Sequence, residues 1–110
     1  MPAFLTIGYG DQVGYDRTAI SVREAAHAND ERLRKNGAIM GVAGAPVQVR
    51  NPDAVRVETR EGPFMKSSLP VAGFAIVEAA TIGGAIKLVA TSPCAVAHGV
   101  IEVWPLEMAN

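Results

Sequence analysis

The eight residues from Val71 to Glu78 (Val-Ala-Gly-Phe-Ala-Ile-Val-Glu) constrain the fold more than any other stretch of the chain. A strand with one wet face alternates apolar and polar residues. This one has no polar residue before Glu78, so it is apolar on both faces, the mark of a central strand. A sheet is therefore expected around it, with a strand on either side. The chain has 110 residues, so residues 1–110 are read as one domain. Its hydrophobic fraction of 49 % is high for so small a body. The surplus apolar surface is expected at an oligomer interface.

The other elements are placed around that strand. Phe4 to Tyr9 is apolar and β-prone and reads as a strand, broken by Gly10-Asp11. Gln12 to Arg17 is polar and reads as a loop. Ser21 and Glu24 have capping-box spacing, with Thr18 as an alternative cap. The helix they open runs to about Asn36, and Gly37 ends it in a left-handed conformation. Its apolar stripe, Val22, Ala25, Ala26 and Leu33, is thin, so the helix packs by one side. Ala38 to Ala45 reads as a buried strand of small residues. Val47–Arg50 and Val55–Arg60 alternate apolar and polar residues around the turn chemistry of Asn51–Ala54, which predicts a half-exposed hairpin. Residues 61–70 carry two prolines and read as irregular. Thr81 caps a second helix whose sheet-facing stripe is Ile82, Ala85, Ile86 and Val89. Ser92-Pro93 closes it. A last strand runs from Gly99 to Trp104 and stops at Pro105. The order is β-α-β, a hairpin insert, then β-α-β. Without the insert this is a βαββαβ frame, the α+β ferredoxin-like arrangement. Two helices would cover one sheet face and leave the other open.

Charge and cysteine content exclude several classes. The net charge is −1, from 10 basic and 11 acidic residues, so no basic field draws the chain to nucleic acid or an anionic membrane. The single Cys94 cannot form an internal disulfide. No apolar run is long enough for a membrane span, and the first residues lack the basic start of a signal peptide. A cytoplasmic protein is expected.

Few residues can carry chemistry. His27 lies off the helix's apolar stripe, with Arg23, Asp30 and Arg34 on the same flank. Asp30 could orient one ring nitrogen and leave the other as a base. The plain alternative is a solvated, salt-bridged helix face. His98 stands at the mouth of the last strand, facing a cleft or simply bonding loop backbone. Asp11 follows the first strand and suits a turn or a carboxylate at the sheet end. Two distant histidines and one cysteine do not make a zinc set, so no metal is expected. Cys94 follows a proline at a helix end and reads as a packed residue rather than a nucleophile. Gly8-Tyr9-Gly10 lacks the spacing of a dinucleotide fingerprint.

Four pieces carry a resemblance: Tyr9-Gly10-Asp11; His27; Glu61-Gly62-Pro63-Phe64 ahead of Gly73-Phe74; and His98-Gly99-Val100-Ile101-Glu102-Val103-Trp104-Pro105. In this order, from about residue 3 to 107, they resemble the YCII-related proteins, in the subgroup named for an Asp-Gly-Pro-Phe motif. Glu61 stands where that motif has Asp, and Trp104 where relatives often carry Arg. The resemblance implies a ferredoxin-like fold that dimerises through its sheets in the manner of a dimeric α/β barrel. It also implies an active-site pair of the helix histidine, His27, with a carboxylate, for which Asp30, Asp11 and Glu61 are candidates. Some relatives act on small aromatic compounds by dehydrochlorination, and others sit beside sigma-factor genes.

Two functions follow as expectations. One is a small lyase or hydrolase with His27 as general base, Asp30 as its partner, and Asp11, Glu61, Phe64 and His98 contacting a small organic substrate. In it, the 61–70 segment closes the pocket. The other is a non-catalytic binding or sensor domain on the same frame. Neither implies a cofactor. The expected partners are a second copy and a small-molecule ligand. An imidazole–carboxylate contact in the cleft would favour catalysis, and its absence would favour binding.

Overall fold

In a computed structural model, residues 1–107 are described. They form β1 (Ala3–Tyr9), α1 (Gln12–Arg17), α2 (Ile20–Lys35), β2 (Ile39–Val42), β3 (Val47–Arg50), β4 (Glu58–Glu61), β5 (Val71–Glu78), α3 (Ile82–Val89), α4 (Pro93–Val96) and β6 (Val100–Leu106). A 3-10 turn at Pro52–Ala54 links β3 to β4. The chain is mixed α+β. Four strands make one antiparallel sheet in the order β2-β5-β1-β6, and β3 and β4 pair only with each other. β5 lies between β2 and β1, as its unbroken apolar run predicts.

The register sorts the side chains into two faces. Phe4 stands opposite Val77, Thr6 opposite Ala75, and Met40 opposite the same Ala75. Phe4, Ala75 and Val77 form the core with Ala79 and Ala85, and Met40, Leu88 and Val103 pack on it. α3 and α4 lie against β6, and α2 against α4. On the reverse face, Ile7 opposes Phe74, Leu5 opposes Trp104, and Ile39 opposes Ile76. That face stays open at its margins: Phe74 is 43 % exposed and Trp104 51 %.

Local chemistry explains where several elements differ from the sequence expectations. Gln12–Arg17 is a short helix rather than a loop, because the Asp11 carboxylate accepts the Gly14 N–H at 2.9 Å and caps it. Thr18 ends that helix, donating its hydroxyl to the Gly14 carbonyl. It is thus not free to cap α2, and Ser21 already lies inside α2, whose N-cap is Ala19 without a side-chain bond. The other end follows expectation. Gly37 has φ +101, and the Gly37 and Ala38 amides donate to Arg34 and Leu33 carbonyls, closing a Schellman motif.

β2 is shorter than Ala38–Ala45 and largely exposed, since it is an edge strand bonded only to β5. Thr81 caps α3 by accepting the Gly84 N–H at 3.1 Å. Only Ala85 and Val89 of the predicted stripe are buried, because Ile82 and Ile86 fall on the half-exposed flank. Ser92-Pro93 does not simply close α3. Pro93 opens the one-turn α4, a position where its missing N–H costs nothing. β6 continues through Pro105, which an edge strand tolerates. Among the described residues, no helix is long and apolar enough to cross a membrane.

Candidate functional site

A cleft of about 470 Å³ lies between α2 and the helix-bearing face of the sheet. Its floor is made of small residues because three strands meet there with little side chain. Gly8 of β1 faces Gly73 of β5. A Cβ on Gly73 would stand 2.6 Å from the Gly41 carbonyl oxygen of β2, so the close strand approach requires glycine there. Leu33, Met40, Val89 and Ile101 add apolar wall.

One flank of α2 supplies the polar wall. His27, Asp30, Glu31 and Arg34 all line the cleft, at the i, i+3, i+4, i+7 spacing of a single helix face. His27 Nε2 lies 3.0 Å from the Tyr15 hydroxyl. The neutral imidazole accepts there when its proton is on Nδ1. The Arg23 guanidinium sits 4.7 Å from the centre of the Tyr15 ring, a cation–π distance. Glu31 and Arg34 pair with each other at 2.8 Å, the salt-bridged arrangement that is the plain reading of such a face.

Asp30 is held from the opposite side. Ser92, just before α4, donates to its Oδ1 at 2.8 Å. Ser92 Oγ in turn accepts from Asn29 Nδ2 at 3.1 Å, and the same amide donates to the Leu88 carbonyl at 2.9 Å. Arg32 donates to Asn29 Oδ1. Asn29 and Ser92 are both buried, and this chain of bonds satisfies them. Cys94 lies in the cleft wall beside them. Burial pushes its thiol pKa above the ordinary value, and the negative charge of Asp30 pushes it further in the same direction. The thiol is therefore kept protonated.

Of the residues singled out in the sequence, the structure brings His27 and Asp30 into one cleft. They do not contact each other there: His27 is turned to Tyr15 and Asp30 to Ser92. Asp11 is the cap of α1. Glu61 ends β4, and Phe64 lies beyond it with the Arg50 guanidinium 5.7 Å from its ring centre. Glu61 belongs to the separate two-stranded sheet, and Phe64 packs beside it, so neither reaches the cleft. His98 is an exposed residue with φ 63, ending α4 in the left-handed region. The 61–70 segment lines no part of the cleft, contrary to expectation. It leads away from the hairpin, where Gly62 donates to Pro46, and back to β1, where Gly10 donates to the Pro70 carbonyl. Its Met65 sulfur lies 3.5 Å from the Tyr9 hydroxyl, which donates to Glu102 at 2.6 Å on the open face.

Tyr15 and Ser92 were missed in the sequence. Tyr15 lies in a polar stretch that reads as loop, and the N-cap residue Asp11 is the one signal of its helix. Ser92 looked like a helix stop. Among the described residues, no three His, Cys, Asp or Glu side chains cluster as a metal set. In comparisons with known proteins, no family model and no curated sequence matches the chain.

Proposed function

We propose that the chain is a small-molecule binding or sensor domain of YCII-related type, with its ligand seated between α2 and the sheet. The observation that supports this best is the shape and lining of the cleft. A glycine floor and apolar walls face one row of polar groups, His27, Asp30 and Arg34. Such a concave apolar pocket with a few convergent polar groups is the usual form of a small-ligand site. The ligand class that fits is a small, flat, largely apolar molecule with polar substituents at one edge.

The strand order supports the ferredoxin-like reading. The β1-to-β2 connection steps over β5, and the β5-to-β6 connection steps over β1, as two interlocked split βαβ units do. The open face, with Phe74, Ile76 and Trp104 half exposed, supports a homodimer that stacks its sheets. A cytoplasmic location goes with this reading.

Catalysis by a lyase or hydrolase is the second reading, favoured by one observation. His27 shares the cleft with Ser92 and Cys94. The base it needs is not supported by a carboxylate, since the imidazole turns to Tyr15, and this ranks binding first. A thermal-shift and native mass-spectrometric screen of small aromatic and aliphatic acids, alcohols and amines tests both readings. A bound ligand that is recovered unchanged, and whose affinity falls about tenfold in His27→Ala, supports binding. Turnover that is lost in His27→Ala with folding intact replaces binding with catalysis. Ligands that bind His27→Ala and Asp30→Asn as well as the wild type overturn this site.

A further inference from the structure

The β3–β4 hairpin stands apart from the rest of the chain, and its burial runs against its chemistry. Val47 and Val49 point to one side, where Glu61 and Thr59 pair with them, and Gln48 and Arg50 point to the other with Arg60 and Glu58. The polar side is the covered one. Gly62, Pro63 and Phe64 fold back over it, Gln48 donates to the Gly62 carbonyl, and Arg50 donates to Gln48 and lies over Phe64. The valine side has no cover: Val47 is 59 % exposed and Val49 67 %. Val55 and Val57, just before β4, are exposed as well. A two-stranded hairpin alone is marginal in water, and an amphipathic element must bury its apolar side against another element. Its strands pair with nothing else, so both outer edges are open.

The dimensions agree with a projecting arm. The molecule spans 52 × 38 × 20 Å with a radius of gyration of 15.9 Å, against about 13 Å for a compact chain of this length. The arm's exposed valines leave roughly 400 Å² of apolar surface in water, and the open sheet face leaves about as much again. Together this is on the order of the 800 Å² that each partner buries in a standard stable interface.

We infer that residues 46–64 form an arm that packs its valine side onto a second copy of this chain. The occupant is a second copy because one two-fold axis covers both surfaces at once. The axis repeats the arm and the open face on each protomer, and it is the two surfaces together that expose the area one partner of a stable interface buries. This rests on the sheet-stacked dimer proposed above and adds a second, separable contact to it.

Sedimentation velocity across the micromolar range tests the inference, with three chains compared. These are the wild type, an arm variant (Val49→Asp with Val57→Asp) and a face variant (Trp104→Glu), each checked for native circular dichroism. Because the arm lies outside the core, its variant retains the fold of the main sheet. The inference expects a wild-type dimer and an arm variant whose dimer dissociation constant rises at least tenfold. A dimer weakened by Trp104→Glu but untouched in the arm variant overturns the arm and leaves the stacked sheets standing. A dimer weakened in the arm variant but not by Trp104→Glu supports the arm and removes the stacked sheets. A wild type that is monomeric throughout overturns both.

Discussion

Cys94 is a nucleophile by type and a packed residue by circumstance. Its pKa is raised first by burial and then by Asp30, so the folded state holds the proton more tightly than the unfolded chain does. The sign follows from linkage. The stabilisation is present while the thiol is protonated in both states, and it is lost as pH rises through the raised value. Two results are expected from a thiol-reagent titration. Alkylation is slow near pH 7, with a midpoint above that of a model thiol. Asp30→Asn moves the midpoint down only partway, because burial remains. Among the histidines, the sequence told His27 from its surroundings by helical spacing alone, and the structure puts its flank on the cleft. It could not tell which group His27 meets, since Tyr15 reaches it from a helix that the polar residues 12–17 conceal. His98 was ambiguous for a related reason. A left-handed residue at a helix end is usually glycine, and the histidine at φ 63 hides that turn.

At the scale of elements, α2 is tied to the start of α4 by one polar chain running from Arg32 through Asn29 and Ser92 to Asp30. No sequence pattern announces such a link, because Ser92 lies 62 and 63 residues from its two partners, Asp30 and Asn29. Asn29→Ala leaves the Leu88 carbonyl and the Ser92 hydroxyl without their donor. Leaving buried groups unsatisfied costs about 1–3 kcal/mol, so thermal denaturation should show a melting temperature lower by several degrees. An unchanged melting temperature would mean that water replaces the amide. Elements governed by local chemistry are readable: the Gly37 terminus, the Thr81 cap and the Asn51–Ala54 turn. The central place of β5 is readable too, although only one of its faces is covered within the chain. Other elements governed by their place in the sheet are not. β2 looks buried in sequence because its residues are small and apolar, yet it is an edge. β6 runs past Pro105, where a proline stop is expected only of a central strand. Ile82 and Ile86 follow the helical period, but it is the flat fit of Ala85 against the core that decides which flank is buried.

At the scale of the molecule, apolar content too high for one small body is distributed over three places. Some forms the core, some lies on the open face and arm, and the rest lines the cleft. The central claim is that this cleft holds a small ligand. Val42 sits on its rim at the edge strand, 93 % exposed, so Val42→Trp can fill the cleft without disturbing the core. A compound saturating the site a hundredfold above its dissociation constant stabilises the fold by about 2.7 kcal/mol. The direct measurement is a thermal-shift comparison of the wild type with Val42→Trp against the same compound library. The account predicts compounds that raise the wild-type melting temperature by several degrees and leave Val42→Trp unmoved. Compounds that stabilise both proteins equally, or a library that stabilises neither, would contradict it.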